Sequence, residues 1–120
     1  MRQLQITAKG HLVSVALDHN LGILTSIDDL TRFDMIYVYH QLLPGTQLSL
    51  KRNKTNIFDE NCIEVYYKNF KLGHISAKTN AIISRLIDKG MEVRAQVKNL
   101  FKEKYMPLHG LDIEIKAIID

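Results

Sequence analysis

Cysteine occurs once in the 120 residues, as Cys62, tryptophan is missing, and there are two prolines and six scattered glycines. A lone cysteine excludes an internal disulfide and a four-thiolate zinc site, so the fold must stand on packing and suits a reducing cytoplasm. The glycines form no Gly-x-x-x-x-Gly-Lys run, which argues against a phosphate-cradling loop and against nucleotide hydrolysis by this chain. No stretch approaches the ~18 apolar residues of a membrane span, and MRQLQITAKGHLVSVALDHN has no long apolar core with a small-residue cleavage site. Neither secretion nor membrane association is expected. His11, His19, His40, His74 and His109 include no His-x-x-x-His pair and no cysteine partner at ligand spacing, so neither a metal nor a cofactor is expected.

What is present describes one globular domain, 46% hydrophobic and 24% charged, without low-complexity tracts. The net charge of +3 is too small to diagnose a nucleic-acid partner, but its distribution is uneven. Residues 1–40 sum to −1 and residues 111–120 to −2, while residues 41–110 hold 12 basic against 6 acidic side chains. An anionic partner should therefore meet the middle segment.

Apolar residues alternate with polar ones through most of the chain, the period of strands with one buried face. Met91, Val93, Ala95 and Val97 alternate in MEVRAQVK, and Leu111, Ile113, Ile115 and Ala117 in LDIEIKAIID. Strands are also predicted at 36–40, at 46–52 with Leu48 and Leu50 inward, at 62–68 with Ile63 and Val65 inward and Glu64 and Tyr66 outward, and at 71–75. Residues 3–7 and 12–17 flank Lys9-Gly10 as a hairpin. TNAIISRLIDKG breaks the pattern: Ile82, Ile83, Leu86 and Ile87 recur at helical spacing, with Thr79 or Asn80 able to cap the start and Gly90 the end. A second short helix is expected to open at Ser26-Ile-Asp-Asp29. The sum is an α+β, mainly β fold: a small barrel with one main helix packed on it and an extra N-terminal hairpin. Residues 1–30 are expected to form that extension and 31–120 a single compact unit.

Between two predicted strands lies KRNKTNIFDEN, residues 51–61, too polar for a core yet carrying Phe58 directly before Asp59. Asn53, Asn56, Asp59 and Asn61 suit turn chemistry, because short polar side chains bond nearby backbone amides. A carboxylate, an aromatic platform and cations stand together there, in Asp59, Phe58 and the group Lys51, Arg52, Lys54 and His74, a set able to take an unstacked base and a flanking phosphate of a nucleic-acid strand. The competing reading makes Phe58 a plug folded into the loop and Asp59 a turn cap. Cys62, Asp59 and His74 can also be written as a nucleophilic triad, but Cys62 borders an apolar strand where a small buried residue is expected. The stretch from Lys98 to Tyr105 reads as a solvated strand end.

LSLKRNKTNIFDENCIEVYYKNFKLGHIS, followed by the Asn80 helix and Gly90, resembles the HIRAN domain in its stand-alone bacterial form, over about residues 33–118. The resemblance rests on the Asn-x-[Tyr/Phe]-Asp-x-Asn core together with Leu-Gly-His-Ile at the matching distance. It implies an OB-like barrel and, as in fork-remodelling DNA translocases, capture of the 3′ end of single-stranded DNA. By that resemblance Phe58 stacks on the terminal base, Asp59 accepts the terminal hydroxyl, His74 faces the sugar-phosphate, and Tyr37 and Tyr39 lie near the place where family members carry an Arg-Tyr or Tyr-Tyr pair on the preceding strand. Ile36 then stands where DNA-end binders have arginine, Ile57 where proline is usual and Cys62 where alanine is common, with Arg52 or Lys54 as substitute cations. The expected activity is therefore non-catalytic binding of single-stranded DNA or another nucleic acid in repair or replication-associated processing, with a helicase or nuclease as partner. The alternative is a protein-interaction or self-assembly module, including a homodimer through strand edges.

Overall fold

The computed structural model describes residues 2–8, 11–17, 22–102 and 108–118, with the backbone alone for 2–17. The Lys9-Gly10 turn and Lys104-Tyr105 lie outside the described residues. Strands β1 (Arg2–Ala8) and β2 (His11–Leu17) form a separate antiparallel pair. Six further strands close into a barrel in the order β3 (Ile23–Asp28), β6 (Phe70–Ile75), β5 (Ile63–Tyr67), β4 (Gln47–Arg52), β7 (Glu92–Phe101) and β8 (Gly110–Ile118). The fold is thus the small β-barrel with a packed helix that the alternating pattern predicts. β3 is one of its staves, although it falls within the 1–30 segment expected to be an extension. Closure gives every barrel strand a neighbour on both sides, although β3 meets β6 only at Ile27 and Asp28 and β4 meets β7 only at Gln47 and Leu48, whereas β1 and β2 pair only with each other.

Alternation translates directly into the core: Ile63, Val65, Leu72, Val97, Leu111, Ile113 and Ile115 are all buried in one cluster. Glu64, expected to face outward to water, is buried as well, because Asn53, Tyr66 and Lys71 gather over it.

The strand predicted at 36–40 is helical: α1 (Met35–Val38) runs into a 3-10 turn at Tyr39–Gln41. The β-branched and aromatic run favours a strand locally, but burial at Met35, Val38 and Leu42 follows a helical spacing, and packing against the core overrides propensity. A 3-10 turn at Leu30–Arg32 follows Asp29, while Ser26–Asp28 extend β3 instead of opening a helix.

Helix α2 (Asn80–Asp88) packs Ile83 and Leu86 inward. Its end has the two reverse bonds of a Schellman motif, Gly90 N–H to Ile87 O and Met91 N–H to Leu86 O, with Gly90 at φ 83°. Gly73 is required for a different reason. A Cβ there would lie 2.2 Å from the Asp28 carbonyl oxygen, so only glycine allows β3 to approach β6 this closely. That approach sets Asp28 opposite His74.

Candidate nucleic-acid interface

The loop between β4 and β5 is built from the turn chemistry its sequence announces. Asn53 Oδ1 accepts from the Thr55 amide at 3.2 Å, and Asn56 Oδ1 accepts from the amides of Phe58 at 2.8 Å and Asp59 at 3.0 Å. Asp59 Oδ1 accepts from the Asn61 amide at 2.9 Å, and backbone bonds from Cys62 N–H to Asp59 O and from Asn53 N–H to Cys62 O close the loop. With its polar groups satisfied locally, the loop pushes two adjacent apolar side chains into solvent: Ile57 is 88% and Phe58 92% exposed. Phe58 therefore projects into solvent and is not a plug folded into the loop.

Asp59 does serve the turn, but its carboxylate reaches further. While Oδ1 accepts from Asn61, Oδ2 accepts from Asn80 Nδ2 of α2 at 2.6 Å. A carboxylate offers about four lone-pair sites, so two bonds leave it able to accept more. Phe58 and Asp59 line a cleft of about 300 Å³ with His74, Asn56, Asp28 and Asp29. His74 Nδ1 lies 3.4 Å from Asp29 Oδ2, and its ring meets Phe33 edge-on at 5.5 Å. Three carboxylates and one imidazole make this cleft acidic in character, complementary to hydroxyl donors and opposed to phosphate.

The cations are elsewhere. A neighbouring cleft of about 440 Å³ is lined by Lys51, Arg52, Asn53, Lys54, Thr55 and Glu64. The two clefts meet along a row of facing strand positions, Lys51 opposite Glu64, Glu64 opposite His74, and His74 opposite Asp28. Glu64 is the hinge of this row. Burial pushes its carboxyl upward, but hydrogen bonds from Tyr66 at 2.7 Å and Asn53 at 3.0 Å, with Lys71 and Lys51 nearby, outweigh burial and hold it below the usual range. The same bond raises the Tyr66 phenol, which loses its acceptor partner's favour on ionising.

Arg52 does not stand ready as a phosphate clamp. Its side chain is 12% exposed, paired through Nε and Nη2 with Asp88 at 3.1 and 3.2 Å and through Nη1 with the Cys62 carbonyl at 3.0 Å. Lys54 Nζ sits 3.6 Å from the same Asp88 carboxylate but remains well exposed, and Arg52 holds that carboxylate below its ordinary range. Lys51 is exposed at the cleft wall, and Lys71 lies 4.2 Å over the Phe33 ring.

Of the residues singled out in the sequence, the fold brings Phe58, Asp59 and His74 together and gathers Arg52 and Lys54 next door. Tyr37 is exposed on α1 and Tyr39 packs half-buried against the core, and neither lines either cleft. Ile36, aligned without gaps to the family's arginine, is on α1 too. The end of β3 and the residue after it supply Asp28 and Asp29 instead. Those two aspartates and Asn80 were missed by sequence reasoning, because each also suits a helix start, and only strand pairing and helix packing reveal their neighbours. Cys62 is buried, and burial pushes its thiol up, which opposes a nucleophilic role. Among the described residues, no group of three or more His, Cys, Asp or Glu is placed to hold a metal ion.

The barrel is similar to two solved structures. One is a Lactobacillus plantarum protein, with a TM-score of 0.64 and 22% identity over 80% of this chain and 93% of the other. Another is the HIRAN domain of human HLTF, with a TM-score of 0.58 and 15% identity over 78% of this chain and 74% of that one. No curated protein sequence matches the chain. The HIRAN domain profile matches residues 25–105, from β3 through β7 and across both clefts, and the chain therefore belongs to the HIRAN domain family.

Proposed function

We propose that this protein is a non-catalytic module that binds single-stranded DNA at its 3′ end in repair or replication-associated processing. The family is associated with nucleic-acid binding. The observation that carries the finer reading is Phe58, 92% exposed and adjacent to the Asp59 carboxylate in one cleft. An unstacked terminal base gains roughly 1 to 3 kcal/mol on an aromatic platform, with little sequence preference. The terminal hydroxyl donates to Asp59. The acidic walls contributed by Asp28 and Asp29 disfavour a phosphate in the cleft, so a strand enters by its unphosphorylated end and its flanking phosphates turn towards Lys51 and Lys54. A helicase or nuclease is the partner class we assign, and the cytoplasm the compartment.

Fluorescence anisotropy with 3′-hydroxyl and 3′-phosphate oligonucleotides tests this reading. Tighter binding of the hydroxyl end, weakening as salt rises through counterion release, is expected. Equal affinity for both ends rejects end recognition, and no binding at low salt rejects the nucleic-acid function. A protein-interaction role has one observation behind it: Ile36, Tyr37 and Leu43 are exposed away from both clefts. Concentration-dependent light scattering that is lost on substituting Tyr37 would favour it.

A further inference from the structure

Helix α2 presents three polar side chains at successive i, i+4 positions, Asn80, Ser84 and Asp88, and each engages the β4–β5 loop or its base. Asn80 Nδ2 donates to Asp59 Oδ2 at 2.6 Å, Ser84 Oγ to Asn61 Oδ1 at 3.2 Å, and Asp88 accepts from Arg52. The spacing places them on one helical stripe. Asn80 and Ser84 are 3% and 1% exposed, so these bonds form away from competing water. The other side-chain bonds of Asn56 and Asp59 are internal to the loop.

Asn80 is therefore the side chain that ties the Asp59 carboxylate to the barrel's packed helix. We infer that Asn80 is a positioning residue for 3′-end recognition, acting through Asp59: it fixes the plane of the carboxylate so that the lone pairs left over face the cleft beside Phe58. This rests on the proposed function and adds to it a residue that does not itself touch the nucleic acid. A carboxylate held only by the Asn61 amide can turn about its side-chain torsions. The charge-assisted bond to a terminal hydroxyl, which depends on direction, is then lost.

The test uses the full chain, two single variants and a double variant, with anisotropy on 3′-hydroxyl and 3′-phosphate oligonucleotides. The wild type should prefer the hydroxyl end by about tenfold or more, the worth of one hydrogen bond to a charged group. Asn80→Ala should bring that preference to within about twofold of unity, while affinity for the phosphorylated strand changes by less than about twofold, because the Lys51 and Lys54 side remains intact. Asn80→Asp, nearly isosteric, should abolish the preference too by setting a second carboxylate against Asp59. In an Asp59→Ala background, Asn80→Ala should have no further effect on the preference, and an unchanged affinity for the phosphorylated strand separates this from general loosening of the fold. Amide hydrogen exchange at Asn61 and Cys62 should quicken in Asn80→Ala without nucleic acid present. A wild type lacking the preference overturns the 3′-end reading and this inference with it. A wild type that has the preference, with either Asn80 variant keeping it or with additive losses in the double variant, overturns this inference alone.

Discussion

Replacing Phe58 with alanine separates binding from folding. A phenylalanine that folds into a core buries ~150 Å² or more. Phe58 is 92% exposed, so less than a tenth of its surface is withdrawn from water. At ~25 cal/mol per Å², the stabilisation at stake is on the order of 0.5 kcal/mol, and the melting temperature should move by no more than about 2 °C. Binding responds on a different scale. Loss of one stacked base is worth roughly 1 to 3 kcal/mol, which is about 5-fold to about 140-fold in Kd. Calorimetric melting beside anisotropy with a 3′-hydroxyl oligonucleotide reads both quantities on one preparation. Leu72→Ala provides the opposite control: fully buried, it should cost about 2 to 5 kcal/mol of stability. Should Phe58→Ala bind as the wild type does, the stacking platform is refuted. Should it instead melt many degrees lower, the loop is held by Phe58 and the ring is structural after all.

Gly73→Ala should lower stability by at least about 2 kcal/mol, because the added methyl meets the Asp28 carbonyl at 2.2 Å on a backbone with φ +153°; thermal melting checks it, and an unchanged midpoint would show that β3 can move away. The Glu64 carboxyl is depressed in the folded state, so its stabilisation is fully present above the ordinary value of 4.5 and disappears as pH falls through the lower folded value. The difference in melting temperature between wild type and Glu64→Gln should accordingly shrink from pH 7 towards pH 3, and a constant difference would refute the assignment. Cys62, 4% exposed with its thiol pushed up by burial, should alkylate much more slowly at pH 7 than in denaturant; fast labelling of the native chain would revive a nucleophilic role.

The residues of the site and the residues of the fold were not equally legible. Period-two alternation from Glu92 to Lys98 and from Leu111 to Ala117 reads as strands because only one face of each stave can be buried. The helix at 80–88 is equally plain, since four apolar residues at helical spacing sit between a polar start and Gly90. Residues 36–40 mislead because their β-branched and aromatic side chains favour strands, whereas Met35, Val38 and Leu42 decide the helix through contacts with residues far away in sequence. The loop is legible in its local chemistry: Asn53, Asn56 and Asp59 lie within a few positions of the amides they bond.

By itself, then, the sequence determined whatever depends on near neighbours: the strand and helix periods, the turn chemistry of the loop, and the pairing of Phe58 with Asp59. Tertiary structure decided which of these meet. Gly73 lets β3 approach β6 and brings Asp28 and Asp29 to His74, which gives the cleft beside Phe58 its acidic walls. Helix α2 claims Arg52 through Asp88 and Asp59 through Asn80, across 36 and 21 positions of chain. Strand register and helix packing bring residues together by closing the barrel, and no short-range pattern encodes which side chains will then compete for one another.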